Sequence, residues 1–306
     1  MLELFNNGYA GTILCRDPQE LLLIFETAQD LPTLPEVALR LQEVVDDPHS
    51  GAKDVARIIE DDPAIAAKVL RAINSVFYAP AHGVEIKQLP PAIARLGFMA
   101  VTNIALSTSV FQAFGRVQQP IFDRREFWRH SVNVGVMTAV LYDACANRME
   151  QRITRDAAHL AGIMHDMGKI LFERYAHNEF HAAIRSAKER EIDILKEERR
   201  LVGLGHDEAG AWLARKWKID EQIRSVVRWH HEPYSCPPEH QALTKLIHIA
   251  DFICHEHKLG VSGNPCPQLD SQVPEELELT VEKIDELIGI AQVEAANSEI
   301  LLSLSD

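Results

Sequence analysis

Side chains with nitrogen or oxygen donors recur through the middle of the chain, where twelve of the fourteen histidines lie. Histidine is the commonest metal ligand in proteins, and carboxylates are its usual companions. The candidate ligands, in chain order, are Glu126, His130, His165, Asp166, His206, His230, His231 and Asp251. Eight donors exceed the four that a tetrahedral zinc site uses. The set therefore predicts one six-coordinate ion or two bridged ions, with iron, manganese or magnesium favoured over zinc.

The positions of two residues in this region, one of them a candidate ligand, suggest catalytic roles. Asp166 directly follows His165, and its carboxylate can bridge two ions. Lys169 lies one helical turn beyond His165 and can balance the charge of a phosphate. A metal-bound water has a lowered pKa and attacks phosphate esters. Asp166 and Lys169 are thus the candidate catalytic residues.

The elements that position these donors are predicted to be helices. No proline occurs between residues 121 and 232, a stretch rich in alanine, leucine, glutamate and arginine. Neither alternating strands nor a repeat of fixed period is apparent, so we predict an all-α fold. The helices predicted in the second half cover residues 124–149, 154–172, 178–202, 207–217, 219–231 and 240–257. Those predicted before them cover residues 19–29, 35–46, 52–60, a helix starting at Pro63, 89–96 closed by Gly97, and 99–113.

Spacing places the candidate ligands on these helices. Glu126 and His130 are four residues apart and point from one face of the long helix. His165 and Asp166 diverge by about 100° if they share a helix, so their common centre lies between the two directions. His248, three residues before Asp251, is a candidate support behind the ligands. Asp207 and the next residue are expected to complement the helix dipole rather than to bind metal.

Charge divides the chain into three predicted parts. The formal net charge is −14, of which residues 1–120 carry −5, residues 121–262 carry none and residues 263–306 carry −9. We predict an N-terminal helical subdomain over 1–120, a helical metal-binding domain over 121–262 and an acidic, partly helical tail over 263–306. The acidity argues against nucleic acid and anionic membranes as partners.

Cysteine usage and hydropathy predict a cytoplasmic protein. The five cysteines form no CxxC pair and are odd in number, which favours free thiols in a reducing compartment. No apolar run approaches the roughly 18 residues of a membrane span, and the first residues lack the basic region of a signal peptide.

The ordered ligand series resembles that of the HD superfamily of metal-dependent phosphohydrolases. The N-terminal part resembles the HDOD domain, the HD-related output domain of bacterial signalling proteins. The segments that carry this likeness are 31–35 (Leu-Pro-Thr-Leu-Pro), 58–63 (Ile-Ile-Glu-Asp-Asp-Pro), 70–75 (Leu-Arg-Ala-Ile-Asn-Ser) with Tyr78, and 92–97 (Ala-Ile-Ala-Arg-Leu-Gly). The resemblance covers residues 25–258 and implies an N-terminal helical subdomain packed on an HD-like helical core.

The resemblance also implies a regulatory role, because HDOD domains often lack the ligands and have no established reaction. This chain departs from that pattern by keeping the series. Its ligands, including Glu126 and the histidine pair, are similar to those of HD-GYP phosphodiesterases. Those enzymes continue with Asp-Gly-x-Gly-Tyr-Pro, whereas this chain has Pro-Tyr-Ser-Cys-Pro-Pro at 233–238. Hydrolysis of cyclic di-GMP is therefore not supported.

Two functions follow as hypotheses. The favoured one is a signal-transduction output module that binds a signalling protein or a phosphate-bearing small ligand and retains an HD-type metal site. The alternative is a metal-dependent phosphohydrolase or phosphodiesterase that uses a metal-bound water. A third possibility is a helical scaffold without metal, in which the histidines satisfy one another.

Overall fold

The computed structural model describes residues 17–31, 36–46, 49–74, 86–113, 123–145 and 153–295. These residues form helices and turns with no strand among them, which confirms the all-α prediction. The first six helices are α1 (Pro18–Thr27), α2 (Glu36–Asp46), α3 (Ala52–Glu60), α4 (Pro63–Ile73), α5 (Leu89–Leu96) and α6 (Phe98–Ala113). The next six are α7 (Arg124–Cys145), α8 (Arg155–Met164), α9 (Gly168–Tyr175), α10 (His177–Arg190), α11 (Ile194–Leu201) and α12 (His206–Lys216). The last four are α13 (Glu221–Trp229), α14 (Gln241–Glu256), α15 (Gln272–Glu276) and α16 (Val281–Ala295).

Some predicted features lie outside the described residues. They are residues 32–35, Ser75 and Tyr78 of the motifs, the end of the predicted helix 124–149, and residues 296–306.

The N-terminal helices begin and end within two residues of their predicted bounds. The Asp17 side chain accepts a hydrogen bond from the Gln19 amide at the start of α1, and the Asp62 side chain accepts one from Ile65 at the start of α4. Helix α5 ends at Gly97, whose φ of +85° lies in the region that favours glycine. These helices contribute to the same buried apolar core as the rest of the described chain.

Helix α7 runs through the centre of the molecule and is buried along most of its length. It packs on α8, α14 and α16. Glycines bring α7 and α8 together, since a Cβ on Gly162 would lie 2.7 Å from the Cα of Gly135. Helices α7, α8 and α14 therefore hold their ligand-bearing ends at one place.

The predicted helix 154–172 is wrong in one respect that matters for the site. Helix α8 ends at Met164, residues 165–167 form a turn, and α9 begins at Gly168. The break lets α9 pack closely on α12, because a Cβ on Gly168 would lie 1.9 Å from the backbone oxygen of His206. His165 and Asp166 therefore belong to a turn, and the 100° divergence expected on a helix does not apply.

The predicted helix 178–202 is also divided. Glu191 adopts the left-handed conformation with a φ of +52°, and the Asp193 side chain accepts a hydrogen bond from the Leu195 amide to start α11. This turn reverses the chain, so that α11 packs back on α10.

The C-terminal part of the described chain packs on the ligand-bearing helices. Helix α16 buries Leu287 and Ile288 in the core and lies against α7. The predicted boundaries at 120 and 262 stay predictions.

In the described chain, no single helix is long and apolar enough to cross a membrane. The helices 89–96 and 101–110, which are bent relative to each other, meet the length and composition criteria for a membrane span only when they are taken together.

Candidate metal centre

The ligand series converges from five elements onto one buried place. The contributing positions are His130 in α7, the turn residues His165 and Asp166, His206 at the start of α12, His230 and His231 at the end of α13, and Asp251 in α14. His130, His165, Asp166, His206 and His230 are at most 1% exposed. The structure thus brings together seven of the eight predicted ligands.

Four of these residues form a first group around Asp166 Oδ1. The Nε2 atom of His206 lies 3.1 Å from that oxygen, and the Nε2 atom of His230 lies 3.8 Å from it. The Nε2 atom of His206 is also 3.3 Å from that of His230 and 2.9 Å from that of His231. Three imidazole nitrogens and one carboxylate oxygen therefore face a common point.

A second group lies on the other side of Asp166 and includes His130 and His165. The Nε2 atom of His165 is 3.4 Å from Asp166 Oδ2 and 3.7 Å from Asp251 Oδ1. His130 Nε2 is 2.9 Å from the same Asp251 oxygen. Asp166 belongs to both groups, as a bridging carboxylate would.

Hydrogen bonds behind three of the rings fix which nitrogen faces the centre. His165 Nδ1 lies 2.7 Å from the Gly162 carbonyl, and His230 Nδ1 lies 2.9 Å from the Val227 carbonyl. A carbonyl only accepts, so each Nδ1 carries a proton and donates it. The Nε2 atoms are thereby left to bind a metal or a second proton.

Glu198 supports the third ring and was not predicted from the sequence. Its Oε2 atom accepts hydrogen bonds from His206 Nδ1 at 2.6 Å and from the His206 amide at 2.9 Å. Glu198 is fully buried in α11. Nothing in the local run Glu-Glu-Arg-Arg at 197–200 distinguishes it, because the contact depends on how α11 packs beside α12.

Charges inside the centre shift the pKa values of its groups strongly. Burial opposes the charge on His165, but the carboxylates of Asp166 and Asp251 together outweigh it and raise the pKa of His165 to about 10. For His206, burial is outweighed by the carboxylates of Glu198 and Asp166 together, and the pKa rises to about 9. Burial together with the charge of His165 holds the pKa of His230 well below its ordinary value. In the absence of metal, two of the rings therefore hold an extra proton.

The donor set fits a divalent metal ion. The Nε2 atoms of His130 and His165 are buried and face carboxylate oxygens of Asp251 and Asp166, but not with the geometry of a hydrogen bond. Unprotonated Nε2 atoms as close as those of His206, His230 and His231 repel one another unless a cation or a proton lies between them. Five imidazoles and two carboxylates suit a borderline ion such as iron or manganese.

Two of the predicted site residues have other partners. Glu126 is half-buried, and its carboxylate binds Arg129 at 2.6 Å. Lys169 is buried, and its Nζ donates to Asp166 Oδ2 at 2.6 Å. Glu126 belongs to neither group of ligands and stays a predicted ligand, whereas Lys169 contacts a ligand inside the centre.

Two further residues lie behind the ligands. His248 Nδ1 donates to the backbone carbonyl of His230 at 2.7 Å, in agreement with its predicted supporting position. Asp207 is buried and binds Arg228 at 2.5 Å and Arg199 at 3.2 Å. Its arginine partners come from α13 and α11, so Asp207 joins three helices instead of only complementing a dipole.

Comparisons with known proteins agree with this architecture. The family model of the HDOD domain matches residues 31–233. An "Uncharacterized protein" of Treponema pallidum (strain Nichols) is 24% identical over 230 residues, and the match covers 75% of this chain and 43% of that relative. The chain thus spans less than half the length of this relative.

Two crystal structures share the fold over nearly the whole chain. An "HDOD domain protein with unknown function" from Geobacter sulfurreducens is 21% identical with a TM-score of 0.75, over 92% of this chain and 97% of that one. A "Putative phosphohydrolase" from Shewanella amazonensis SB2B is 23% identical with a TM-score of 0.69, over 93% and 96%. At these identities the likeness concerns the fold alone.

Proposed function

The chain belongs to the HDOD domain family, and we propose that it is a bacterial signal-transduction module whose His/Asp centre binds one divalent metal ion. With metal bound, the ligands that meet at Asp166 would join α7, α12, α13 and α14, and the module would bind its partner in that arrangement. The ligand series from His130 to Asp251 carries this proposal, because it gathers buried imidazole and carboxylate donors into two groups that share Asp166.

Charge balance supports one divalent ion. Three carboxylates, those of Asp166, Asp251 and Glu198, face the ammonium of Lys169 and the two protonated rings of His165 and His206. A divalent ion that replaces the two ring protons leaves the charge of the centre unchanged, whereas a second ion needs an anion beside it.

Burial supports a regulatory centre over a catalytic one. Metal sites that hold a structure are closed, while catalytic sites keep an open position for substrate. Here Asp251 has a side chain that is 14% exposed, His231 is partly exposed, and the other five ligands are at most 1% exposed. Lys169 also occupies one oxygen of Asp166, on the side where a second ion would bind.

The alternative is a metal-dependent phosphohydrolase, and one observation favours it. Asp166 is common to both groups of ligands, which is the position of a bridging carboxylate in a two-metal site. When bound, the metal supplies a water of lowered pKa. In that case Asp166 orients the two halves of the centre, and the ammonium of Lys169 attracts the phosphate. The name of the Shewanella protein agrees with this class.

Partners and location remain proposals as well. We propose a signalling protein or a phosphate-bearing small ligand as the partner, and the net charge of −14 disfavours nucleic acid and anionic membranes. We propose a cytoplasmic location, which the free thiols among the described residues support.

Metal analysis of protein purified without a histidine tag tests the centre. We expect about one iron or manganese per chain after reconstitution and an increase of the melting temperature when the ion is added to metal-free protein. His257→Ala, which changes an exposed histidine of the same region, is the matched control for His206→Ala. Absence of metal, with no thermal shift from added iron or manganese, contradicts the proposal.

A turnover screen separates the module from the enzyme. The substrates are phosphate monoesters, diesters and cyclic dinucleotides, tested with the reconstituted protein. If the protein is a regulatory module, turnover by the wild type should not exceed turnover by Asp166→Ala. Turnover that Asp166→Ala abolishes and Asp143→Ala, an exposed control, leaves intact supports the hydrolase instead.

A further inference from the structure

The segment that follows α14, residues 259–270, contacts helix α7 beside one metal ligand. Gly260 has a φ of +90°, and a Cβ there would lie 2.2 Å from the backbone nitrogen of His130. The next amide, that of Val261, donates to the Glu126 carbonyl at 3.0 Å. Only glycine permits both the conformation and this close approach. We name residues 259–270 the strap.

The far end of the strap reaches a second ligand through His248. The amide of Asp270 donates to His248 Nε2 at 2.9 Å, and His248 Nδ1 donates to the His230 carbonyl at 2.7 Å. Because the amide only donates and the carbonyl only accepts, the ring is held in a single tautomer with both nitrogens used. His248 is 5% exposed, so water does not replace these bonds easily.

The middle of the strap is fixed to the start of α11. The side chain of Asn264 donates to Asp193 Oδ2 at 3.0 Å and accepts from the Ile194 amide at 3.1 Å. Helix α11 carries Glu198, which holds the ring of His206. The strap therefore contacts His130 in one group of ligands. It also contacts His248 and α11, which support His230 and His206 in the other group.

We infer that the strap is a positioning element that sets the spacing between the two groups of ligands. It acts through two positioning residues, Gly260 within the strap and His248 in α14, which the strap contacts. The inference rests on the proposed metal centre and adds the part of the chain that tunes it. A partner that moves the strap thereby changes metal affinity without touching a ligand.

The test measures cobalt(II) binding by the full chain after its metal has been removed. Calorimetry gives the affinity, and the visible spectrum of the bound ion reports the geometry of its ligands. His248→Asn keeps a donor for the His230 carbonyl but is too short to reach the Asp270 amide, so it cuts only the link to the strap. His248→Leu cuts both links. His257→Leu, at an exposed position just after α14, is the matched control. Thermal unfolding of each metal-free variant establishes that it is folded.

We expect His248→Asn to weaken cobalt binding about 10-fold and to shift the spectrum, in the range seen when groups behind metal ligands are removed. His248→Leu should lose at least as much, and His257→Leu should match the wild type. Wild-type affinity and spectrum in folded His248→Asn overturn the inference but leave the metal centre standing. Failure of the wild type to bind cobalt overturns both. If His248→Leu does not fold, His248→Asn decides alone.

Discussion

Lys169 and Asp166 form a buried ion pair of 2.6 Å where the two groups of ligands meet. Burial opposes the charge on Asp166, but Lys169 and then His165 outweigh it and hold the pKa of Asp166 well below its ordinary value. The ammonium thus performs part of the task of a metal ion, since it keeps a buried carboxylate charged. This pair compensates the charge of Asp166 when no metal is bound.

Lys169→Met should destabilise the metal-free protein more than the metal-loaded protein. Removal of one partner of a buried pair costs about 3–5 kcal/mol, because the other charge stays buried without compensation. A divalent ion beside Asp166 supplies that compensation. Urea unfolding with and without manganese measures the difference. Lys283→Met, which breaks an exposed pair with Glu286, should cost less than about 1 kcal/mol in either state. Equal losses for Lys169→Met in both states would contradict this role.

Glu198→Ala should weaken metal binding without removing a ligand. The carboxylate fixes the His206 ring through Nδ1, and loss of such a partner typically costs 10–100-fold in metal affinity. Glu198→Gln should lose less, since its amide oxygen still accepts from the ring. Calorimetric titration with manganese measures both. The exposed Glu189→Ala serves as the control, and unchanged affinity in Glu198→Ala would show that the ring is held by other contacts.

Metal binding at pH 7 should release about two protons per ion, because His165 and His206 must lose theirs to bind. Their pKa values of about 10 and about 9 place both in the charged form at neutral pH when metal is absent. Affinity should therefore increase as the pH rises from 7 to 9. Calorimetry in two buffers of different ionisation enthalpy counts the protons. Release of none, with affinity independent of pH, would contradict the charge balance.

The same shifts predict how the metal-free protein responds to alkali. Both folded-state pKa values lie above the unfolded value of about 6.5. The stabilisation they provide is complete below about pH 6.5 and is lost as the pH rises through about 9 to 10. The unfolding free energy of the metal-free protein should thus decrease over that interval. Metal-loaded protein, in which both rings are neutral, should not show this decrease.

Gly168→Ala should destabilise the fold, whereas Gly289→Ala should not. A Cβ on Gly168 meets the His206 carbonyl at 1.9 Å, so α9 and α12 must separate, at a cost of about 3 kcal/mol or more. Gly289 lies within α16 with nothing within 4 Å of its Cβ, and alanine there should stabilise by about 0.5–1 kcal/mol. Urea unfolding compares the two. A tolerated Gly168→Ala would mean that the turn at 165–167 has another cause.

The ligand series and the helical class could be predicted from the sequence, because both depend on local information. Residue type limits what His130 or Asp251 can bind, and proline-free stretches with helical apolar spacing indicate helices before any packing is known. The Asp62 side chain caps α4 through a local contact with the Ile65 amide, and that helix begins at Pro63 as the sequence predicts. The likeness to the HDOD family likewise rested on short local motifs.

Only the tertiary structure decided which groups meet. The turn at His165 exists because α9 packs on α12, a contact between residues about forty positions apart along the chain. Glu198 and His248 support ligands that are distant in sequence, and Glu126 binds Arg129 beside it instead of the centre. The sequence by itself determined the donors and the helices that carry them. Packing determined their distances, their protons and the charge at the centre, because these depend on burial and on neighbours that local sequence does not specify.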